Sequence, residues 1–460
     1  MTVGKLKVDQ IREIALNILV KIHRKKGYIN IILNEILEEE KVAIRDAALI
    51  NEITYGVVRN RKKIDWIISQ FCKKDFDKTP VWIKNILRMG VYQLLFLERI
   101  PDYAVCNESV KLAKKYGNSR LANFVNGILR NINKNKDSIY WPDKDKEPSL
   151  YISTVYSHPC WIIERWLERF GFEDTIKICE ANNKIPPLVI RTNTLKISRS
   201  DLKKALEDKN ISVTEGIFAP EALYIKGLPN ITKFPAYQEG LFQIQDEASM
   251  LVSHLVDPLA EELVIDVCSA PGGKTTHLAQ LMNNQGTVLA FDVNQARLSI
   301  VEENCQRLGI NIVKTLQNDA TKLNLDFLGK ADKVLADVPC SGLGVLRRKP
   351  DLKWQAFNTD RFQKLSRLQL QILSAASKYV KISGKLIYST CSTEPEENEE
   401  IVQKFLAKNP NFELENLTDF IKVRELKVYR SGQKKFLQIY PGLSNSDLDG
   451  FFMAKIRRKE

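Results

Sequence analysis

Two cysteines in the second half of the 460-residue chain stand directly after predicted strands. Cys340 lies in the segment Asp337-Val-Pro-Cys-Ser-Gly, and Cys391 lies in Ser-Thr-Cys-Ser. A thiolate is strongly nucleophilic even when it is a minor fraction at neutral pH. A second thiol nearby can act as a base. This pair could therefore perform covalent catalysis that ends with removal of a proton. An isolated cysteine is usually buried and inert, and we interpret the other six in that way.

One reaction that requires both steps is methylation of carbon 5 of cytosine. This carbon is not nucleophilic enough to accept a methyl group unaided, so a nucleophile must first add to carbon 6. After methyl transfer, a base must remove the proton from carbon 5 so that the nucleophile can leave. Cys340 is a candidate for that base.

A glycine-containing loop precedes both cysteines. The segment Asp266-Val-Cys-Ser-Ala-Pro-Gly-Gly-Lys274 joins a predicted strand to a predicted helix. Glycines at such a turn let the backbone approach a ligand, and the helix offers free N–H groups. A Walker A phosphate loop is disfavoured because Cys268 stands where that motif needs glycine. A dehydrogenase is disfavoured because GxGxxG is missing. The loop indicates a nucleotide-type site.

Two further acidic residues follow the next strands. Asp292 ends the second strand, about 20 residues beyond the glycines, where an acid typically accepts hydrogen bonds from ribose hydroxyls. Asp319 follows the third strand and is suited to an adenine edge. Either acid alone would more often be a solvated loop residue. In series at the carboxyl ends of consecutive strands, they favour a single crevice.

The elements that must position these residues begin at Leu263. From there, apolar strands alternate with helices, which predicts a parallel sheet covered on both faces. A long helix is predicted over Arg361 to Val380. The segments FLQIYP and GFFMAKI have no helix between them, so we expect an antiparallel pair at the sheet edge.

The first 133 residues predict helices throughout, with apolar residues repeating every three or four positions. Residues 1 to 140 carry 26 Lys and Arg against 15 Asp and Glu, or +11 of the net charge of +13. Concentrated positive charge indicates a polyanion partner, although a solvated basic surface is an equal alternative. Asn133 to Ser149 is polar and predicts a linker. The region from there to about Phe234 mixes short helices and strands.

Composition excludes several classes of protein. Hydrophobic residues make up 44% of the chain and charged residues 27%, as in globular proteins. No apolar run approaches the roughly 18 residues needed to cross a bilayer, and no signal peptide is recognisable. We therefore expect a cytoplasmic protein without a membrane partner. The eight cysteines contain no CxxC pair and are accompanied by only four histidines, so neither a disulfide framework nor a bound metal is expected.

The motifs as a set resemble those of the RNA 5-methylcytosine methyltransferases. The segments that carry the resemblance are DVCSAPGGKTTHLA, LADVPCSGLGVLRRKPD and YSTCS. The resemblance implies that Cys391 is the nucleophile, whereas DNA cytosine methyltransferases attack from the Pro-Cys cysteine. It also implies that Cys340 assists release and that Asp337 holds the target base. The implied S-adenosyl-L-methionine site comprises Cys268, Ser269, Ala270, Pro271, Gly272, Gly273, Lys274, Asp292, Asp319 and Asp337.

The N-terminal helices resemble a NusB-type RNA-binding domain. The matching segments run from Arg45 to Arg59, from Leu87 to Gln93 and from Asn123 to Arg130. Fused to such a methyltransferase, the domain resembles the RsmB (Sun/Fmu) enzymes of 16S ribosomal RNA. This resemblance suggests cytosine 967 of that RNA as the methylated base. We expect the protein to be a monomer. The alternatives are a non-catalytic RNA-binding factor and the same chemistry on transfer RNA.

The expected fold is therefore multidomain. Residues 1–140 form an all-α NusB-like bundle that binds RNA. Residues 141–234 form a linker and a small α/β RNA-binding region. Residues 235–460 form a Rossmann-like α/β methyltransferase. The segments Arg191 to Leu195 and Gln245 to Ser249 also resemble family segments, and for these we expect either RNA contact or packing.

Overall fold

A computed structural model describes residues 8–25, 28–72, 75–227, 231–355, 359–424, 426, 435–444 and 447–459. Its internal contacts divide the chain into two compact units. The first contains Met1–Lys184 together with Leu346–Gln355, and the second contains Ile185–Val345 together with Ala356–Glu460. The predicted boundaries at residues 140 and 234 stay predictions.

The first unit is helical, as the apolar periodicity predicts. Its helices are α1 Gln10–Lys25, α2 Ile29–Glu39, α3 Ile44–Arg59, α4 Arg61–Phe71, α5 Val81–Phe96, α6 Asp102–Tyr116, α7 Ser119–Lys134, α8 Pro148–Val155 and α9 Cys160–Asn183. The apolar stripe of α1 is buried at Ile14, Ala15, Ile18 and Leu19, which are at most 4% exposed, and partly buried at Ile11. Helices α1 to α7 share one continuous core of aliphatic side chains.

The segment Leu346–Gln355 completes this helical unit although it lies far along the chain. Trp354 donates its indole N–H to the carbonyl oxygen of Val58 in α3 at 2.7 Å. Lys353 is fully buried and donates to Asn183 Oδ1 at 2.6 Å. Burial lowers the pKa of Lys353 to about 7. The second half of the chain thus supplies core residues to the N-terminal bundle.

The second unit begins with a four-stranded antiparallel sheet. Its elements are β1 Leu188–Thr192, α10 Arg199–Glu207, β2 Ser212–Glu215, β3 Ala222–Lys226, α11 Pro235–Gln238 and β4 Phe242–Ile244. The strand order is β2-β3-β1-β4. Leu202 and Leu206 of α10 pack on Ile190, Leu223 and Ile225 of the sheet. The prediction of short helices and strands in this region is confirmed.

A larger mixed sheet of eight strands follows. Its elements are α12 Glu247–Val256, β5 Leu263–Asp266, α13 Gly273–Leu281, β6 Thr287–Asp292, α14 Gln295–Leu308, β7 Val313–Gln317, β8 Ala331–Asp337, α15 Thr359–Ser377, β9 Val380–Thr390, α16 Glu399–Lys408, β10 Phe412–Leu414, α17 Thr418–Val423, β11 Phe436–Ile439 and β12 Phe451–Arg458. The order is β10-β12-β9-β8-β5-β6-β7, and β11 pairs with β12. Strands β5 to β9 are parallel, as predicted from their apolar composition.

Two details of this sheet bear on the sequence predictions. The predicted antiparallel pair is confirmed, because β11 pairs with β12 from Phe436 opposite Ala454 to Ile439 opposite Phe451. The helix predicted to run to Val380 is wrong at its end, because α15 stops at Ser377 and Val380 begins β9. Val380 pairs with Ala331 at the start of β8, so this residue belongs to the sheet and not to the helix.

Among the described residues, no helix is both long enough and apolar enough to span a membrane.

Candidate active site

The predicted site residues lie at one edge of the large sheet. Asp266, Asp292 and Asp337 are the last residues of β5, β6 and β8, and Cys391 directly follows β9. These four strands are parallel, so their carboxyl ends lie at the same edge. The strand order runs in opposite directions from β5, because β6 and β7 lie on one side of it and β8 and β9 lie on the other. Open α/β sheets bind ligands at such a switch point.

The loop from Cys268 to Gly272 turns sharply between β5 and α13. Ser269 anchors it by donating its backbone N–H and its hydroxyl to the carbonyl oxygen of Phe291, at 2.8 and 2.9 Å. Gly272 has φ +97°, a conformation that side chains disfavour, and a Cβ there would approach the Val301 backbone at 3.2 Å. A Cβ at Gly273 would meet no atom within 4 Å. The backbone at the start of α13 therefore has open space beside it for a ligand.

Arg191 of β1 forms hydrogen bonds with the first turn of α13. Its guanidinium is fully buried and donates to the carbonyl oxygen of Gly273 at 2.7 Å and to Thr276 Oγ1 at 3.0 Å. It also donates to the side-chain oxygens of Gln245 and Gln280. Of the two expectations for the Arg191 and Gln245 segments, packing is the one that these buried side chains satisfy.

Asp266 lies beneath the loop and is 1% exposed. Its carboxyl group accepts hydrogen bonds from Thr275 Oγ1 at 2.7 Å and from the Cys268 backbone at 3.3 Å. Burial nevertheless raises the pKa of Asp266 to about 7. Burial and the carboxylates of Asp266, Asp337 and Asp292 raise the pKa of the Cys268 thiol. Cys268 is thus held as a neutral thiol and is unsuited to nucleophilic attack.

Asp292 and Asp319 lie at the ends of β6 and β7 in different surroundings. Asp292 is 5% exposed, and it accepts from the Asn294 N–H at 3.0 Å while Arg297 lies 3.3 Å from its other oxygen. The Asp319 carboxylate is 39% exposed. Hydrogen bonds from the Thr321 hydroxyl and backbone lower the pKa of Asp319. Asp292 is the more firmly oriented of the two acids.

Lys274 joins the loop to the strands that carry the cysteines. Its ammonium lies 2.8 Å from Asp337 Oδ2, and Ser389 Oγ donates to the other oxygen of Asp337 at 2.7 Å. Burial lowers the pKa of Lys274, but the facing Asp337 carboxylate and the nearby Cys391 outweigh it and raise that pKa overall. A lysine held in its charged form favours a thiolate at Cys391.

The structure brings the two cysteines together. Cys340 Sγ lies 3.4 Å from Cys391 Sγ, within hydrogen-bond distance for sulfur. A hydrogen bond to Cys391 and burial raise the pKa of the Cys340 thiol well above its usual value, and the negative charges of Cys391 and Glu397 add to this effect. Either thiol can donate this hydrogen bond, and the raised pKa of Cys340 favours a proton on Cys340.

Glu397, which the sequence motifs did not predict as a site residue, contacts the loops of both cysteines. Its carboxylate is fully buried and accepts hydrogen bonds from Ser341, which follows Cys340, and from Ser392, which follows Cys391. The residue lies in the acidic run Glu394 to Glu400, which would ordinarily predict a solvated helix start. Its proximity to Cys391 in sequence was the one available signal.

One group of side chains with metal-ligand types lies apart from the cysteines. The Nε2 atoms of His277 and His254 lie 2.7 and 2.9 Å from the same oxygen of Glu221. His254 forms a hydrogen bond with Glu221, whereas both ring nitrogens of His277 are buried without a hydrogen-bond partner among the described residues, although Nε2 lies close to the carboxylate. The expected absence of a metal remains a prediction.

Three domain families match successive parts of the chain. The NusB family matches residues 9–134, a ferredoxin-like domain of RsmF/B-like methyltransferases matches residues 158–232, and the 16S rRNA methyltransferase RsmB/F family matches residues 253–457. These matches confirm the predicted helical, small α/β and α/β methyltransferase parts of the fold, and they describe the small part as ferredoxin-like.

Full-length relatives give the same result. The chain is 35% identical over 457 residues to the probable ribosomal RNA small subunit methyltransferase B of Bacillus subtilis, covering 99% of this chain and all of the relative. It is 30% identical to the ribosomal RNA small subunit methyltransferase B of Cronobacter sakazakii, covering 92% of both chains.

Solved structures extend the comparison. The crystal structure of PH0851 covers 99% of this chain and all of that one, at 28% identity and a TM-score of 0.81. NSun6 from Pyrococcus horikoshii, solved with SFG, covers 65% of this chain and 97% of its own at 28% identity and a TM-score of 0.56. On the strength of the full-length relatives, the chain belongs to the RsmB/F family of 16S ribosomal RNA methyltransferases.

Proposed function

We propose that this enzyme methylates carbon 5 of a cytosine in 16S ribosomal RNA, the family resemblance suggesting position 967, through a covalent bond between Cys391 and the base. The observation that carries the proposal is the separation of 3.4 Å between the sulfur atoms of Cys340 and Cys391. Two thiols at that distance can both reach one base, so that one can add to it and the other can remove a proton from it.

The methyl donor proposed for this site is S-adenosyl-L-methionine, as membership of a methyltransferase family implies. The open space beside Gly273 and the carboxylates at the strand ends suit its polar and positively charged parts. Asp292 would accept hydrogen bonds from the ribose, Asp319 would face the adenine, and residues Cys268 to Lys274 would form the loop beneath the ligand. The P. horikoshii NSun6 solved with the analogue SFG supports this assignment. When bound, the group supplies an electrophilic methyl.

Attack is assigned to Cys391. Cys340 lies within hydrogen-bond distance of it and the Lys274 ammonium raises the local positive potential, so we place the thiolate on Cys391. Its sulfur forms a bond to carbon 6 of the cytosine, and the electron pair of the carbon 5–carbon 6 double bond makes carbon 5 nucleophilic. With S-adenosyl-L-methionine bound, carbon 5 would take its methyl group, and the donor sulfonium would be left as a neutral thioether. Asp337, held by Lys274 and Ser389, is proposed to orient the base.

Proton removal is assigned to Cys340. The negative charge of Cys391 is one cause of the raised pKa of Cys340. Once Cys391 is bonded to carbon 6, that charge is gone, and the Cys340 thiol can release its proton to water and become a thiolate. Cys340 can then accept the proton of carbon 5 as the carbon–sulfur bond breaks and Cys391 leaves as a thiolate. The order of the two roles follows from which thiol carries the charge at rest.

RNA recognition is assigned to the basic bundle. Its net charge of +11 over residues 1 to 140 and its match to the NusB family support contact with phosphates. A non-catalytic RNA-binding factor is not favoured, because both cysteines are present and adjacent. Transfer RNA is not favoured, because the full-length relatives are named for the ribosomal small subunit. A monomer remains the expected state.

The test compares alanine variants of the two cysteines on 16S RNA. Cys391→Ala removes the nucleophile, so neither methylation nor an RNA-linked protein band in denaturing electrophoresis is expected. Cys340→Ala permits attack and methyl transfer but slows proton removal, so an RNA-linked band should accumulate. Bisulfite sequencing of the RNA identifies the methylated cytosine.

Cys305→Ala serves as the control, because this cysteine is buried in the core of the same unit. It should behave as the wild type. A stable RNA-linked band in the Cys391 variant and not in the Cys340 variant would reverse the two roles. Methylation at a carbon other than carbon 5 would refute the proposed reaction.

A further inference from the structure

Glu397 joins the two cysteine-bearing loops from beneath. It ends a short turn of 3₁₀-helix, Pro395–Glu397, that follows Cys391. Its Oε1 accepts the backbone N–H of Ser341 at 2.8 Å, and its Oε2 accepts the hydroxyls of Ser341 and Ser392, both at 2.5 Å. Ser341 directly follows Cys340, and Ser392 directly follows Cys391. One carboxylate thus binds the neighbours of both sulfur atoms.

The hydrogen bonds favour a charged Glu397 in spite of its burial. Gln369 of α15 donates a further hydrogen bond to Oε1 at 3.0 Å, so each carboxylate oxygen accepts two. All these donors are neutral groups. Burial raises the pKa of Glu397, and the four hydrogen bonds act against it. A proton on Oε1 would have to displace an N–H donor, and a proton on Oε2 would require one of the serine hydroxyls to turn and accept, so the present hydrogen bonds suit the anion.

Two of the three hydrogen bonds from the cysteine loops to Glu397 come from Ser341, beside Cys340, and one comes from Ser392, beside Cys391. The Glu397 charge is also one of the causes that raise the pKa of Cys340. A fixed anion beside one of two thiols makes the thiolate less favourable there, and the proton then rests on that thiol. The Lys274 ammonium acts in the opposite sense beside Cys391. The two charges therefore bias the pair in the same direction, towards a neutral Cys340 and a charged Cys391.

We propose that Glu397 is a positioning residue that fixes the spacing of the two thiols and determines which of them attacks. This inference rests on the proposed cysteine chemistry. Neighbouring contacts support the same arrangement, because Asn398 accepts from Thr390 Oγ1 at 2.6 Å and donates to the carbonyl oxygen of Ser392 at 3.0 Å. Glu397 and Asn398 thus secure the residues on both sides of Cys391.

The test measures thiol reactivity without RNA or cofactor. The protein is treated with iodoacetamide between pH 6 and pH 9, and labelling of Cys340 and of Cys391 is quantified separately by mass spectrometry. In the wild type, labelling should favour Cys391. In Glu397→Gln, the charge is lost and an amide N–H₂ faces the donors, so the ratio of Cys391 to Cys340 labelling should fall by about 10-fold or more, the change that corresponds to one unit of relative pKa.

Methylation provides the second readout. Single-turnover methylation by Glu397→Gln should slow by about 100-fold, the cost of losing one oriented proton-transfer step. Binding of S-adenosyl-L-methionine should stay unchanged, since Glu397 contacts the cysteine loops and not the cofactor loop. Glu400→Gln is the matched control, because this partly exposed glutamate of α16 pairs only with Lys404 among the described contacts.

A smaller change covers the case in which Glu397→Gln does not fold. Ser392→Ala removes one of the four hydrogen bonds and should shift the labelling ratio in the same direction by a smaller factor. An unchanged labelling ratio in a folded Glu397→Gln, or in Ser392→Ala if the first variant is unfolded, overturns the inference even when methylation is lost. Failure of the proposed function is separate, since it would appear as methylation by Cys391→Ala, whereas labelling requires no turnover.

Discussion

Replacing Asp292 by asparagine tests the ribose assignment. The amide keeps the oxygen that accepts the Asn294 N–H at 3.0 Å and replaces the oxygen that faces Arg297 at 3.3 Å. The variant therefore loses one charged acceptor at nearly constant volume. Because Asp292 is 5% exposed, water cannot readily take the place of the lost acceptor.

The expected size of the effect follows from one hydrogen bond. A hydrogen bond to a charged group contributes about 1.5–3 kcal/mol, so the Kd for S-adenosyl-L-methionine should rise about 10- to 150-fold. Asp319→Asn should have a smaller effect, about 2- to 10-fold, because the Asp319 carboxylate is 39% exposed and water can compete for its partner. RNA binding should be unaffected in both variants.

Isothermal titration calorimetry of the full chain with S-adenosyl-L-methionine, in the absence of RNA, measures these affinities. Glu303→Gln is the control, since it removes one negative charge from an exposed position of α14. Thermal unfolding of each variant checks that the unit is intact. If the affinity of a folded Asp292→Asn equals that of Glu303→Gln, Asp292 does not bind the ribose.

Two further predictions concern the stability of the second unit. Arg191→Met should destabilise the unit by about 3 kcal/mol or more, because the variant leaves the buried acceptors of Gly273, Thr276 and their neighbours without a donor. Denaturant unfolding should show this loss of stability, and cofactor binding should be weaker. An unchanged unfolding midpoint would contradict the anchoring role of Arg191. Asp266 has a folded pKa of about 7 against 3.8 unfolded, so the folded state binds its proton more tightly and stability should fall as pH rises from about 4 to 7, by up to about 4 kcal/mol. Asp266→Asn should lack this decline in unfolding measured between pH 5 and pH 8, and an identical decline in both proteins would show that Asp266 is not its source.

Local pattern was sufficient to predict where the candidate site residues lie in the fold. Apolar strands followed by polar residues placed Asp292, Asp337 and Cys391 at the ends of parallel strands, and the structure has them there. The reasoning succeeds because strand alternation and the handed connection of parallel strands leave few arrangements. The loop before α13 was predictable for the same reason.

Residues whose roles depend on distant partners were not predictable. Glu397 lies in an acidic run, and its burial depends on Ser341 and Gln369, which are 56 and 28 residues away. From the sequence, Arg191 could either contact RNA or pack inside the protein, and the structure shows that it donates hydrogen bonds to acceptors in α13. In both cases the side chain type permits a solvated or a buried role, and only tertiary packing decides between them.

The segment Leu346–Gln355 has a consequence for how the chain folds during synthesis. Val58 and its partner Trp354 are separated by 296 positions, so the helical unit cannot be completed when its own helices have emerged from the ribosome. At about 5–20 residues per second, the roughly 170 residues between the end of α9 and Gln355 take about 9–35 s to synthesise. Throughout that interval the N-terminal bundle is a nearly finished domain that lacks one piece of its core. A polypeptide ending shortly after residue 184 would remain in this state permanently.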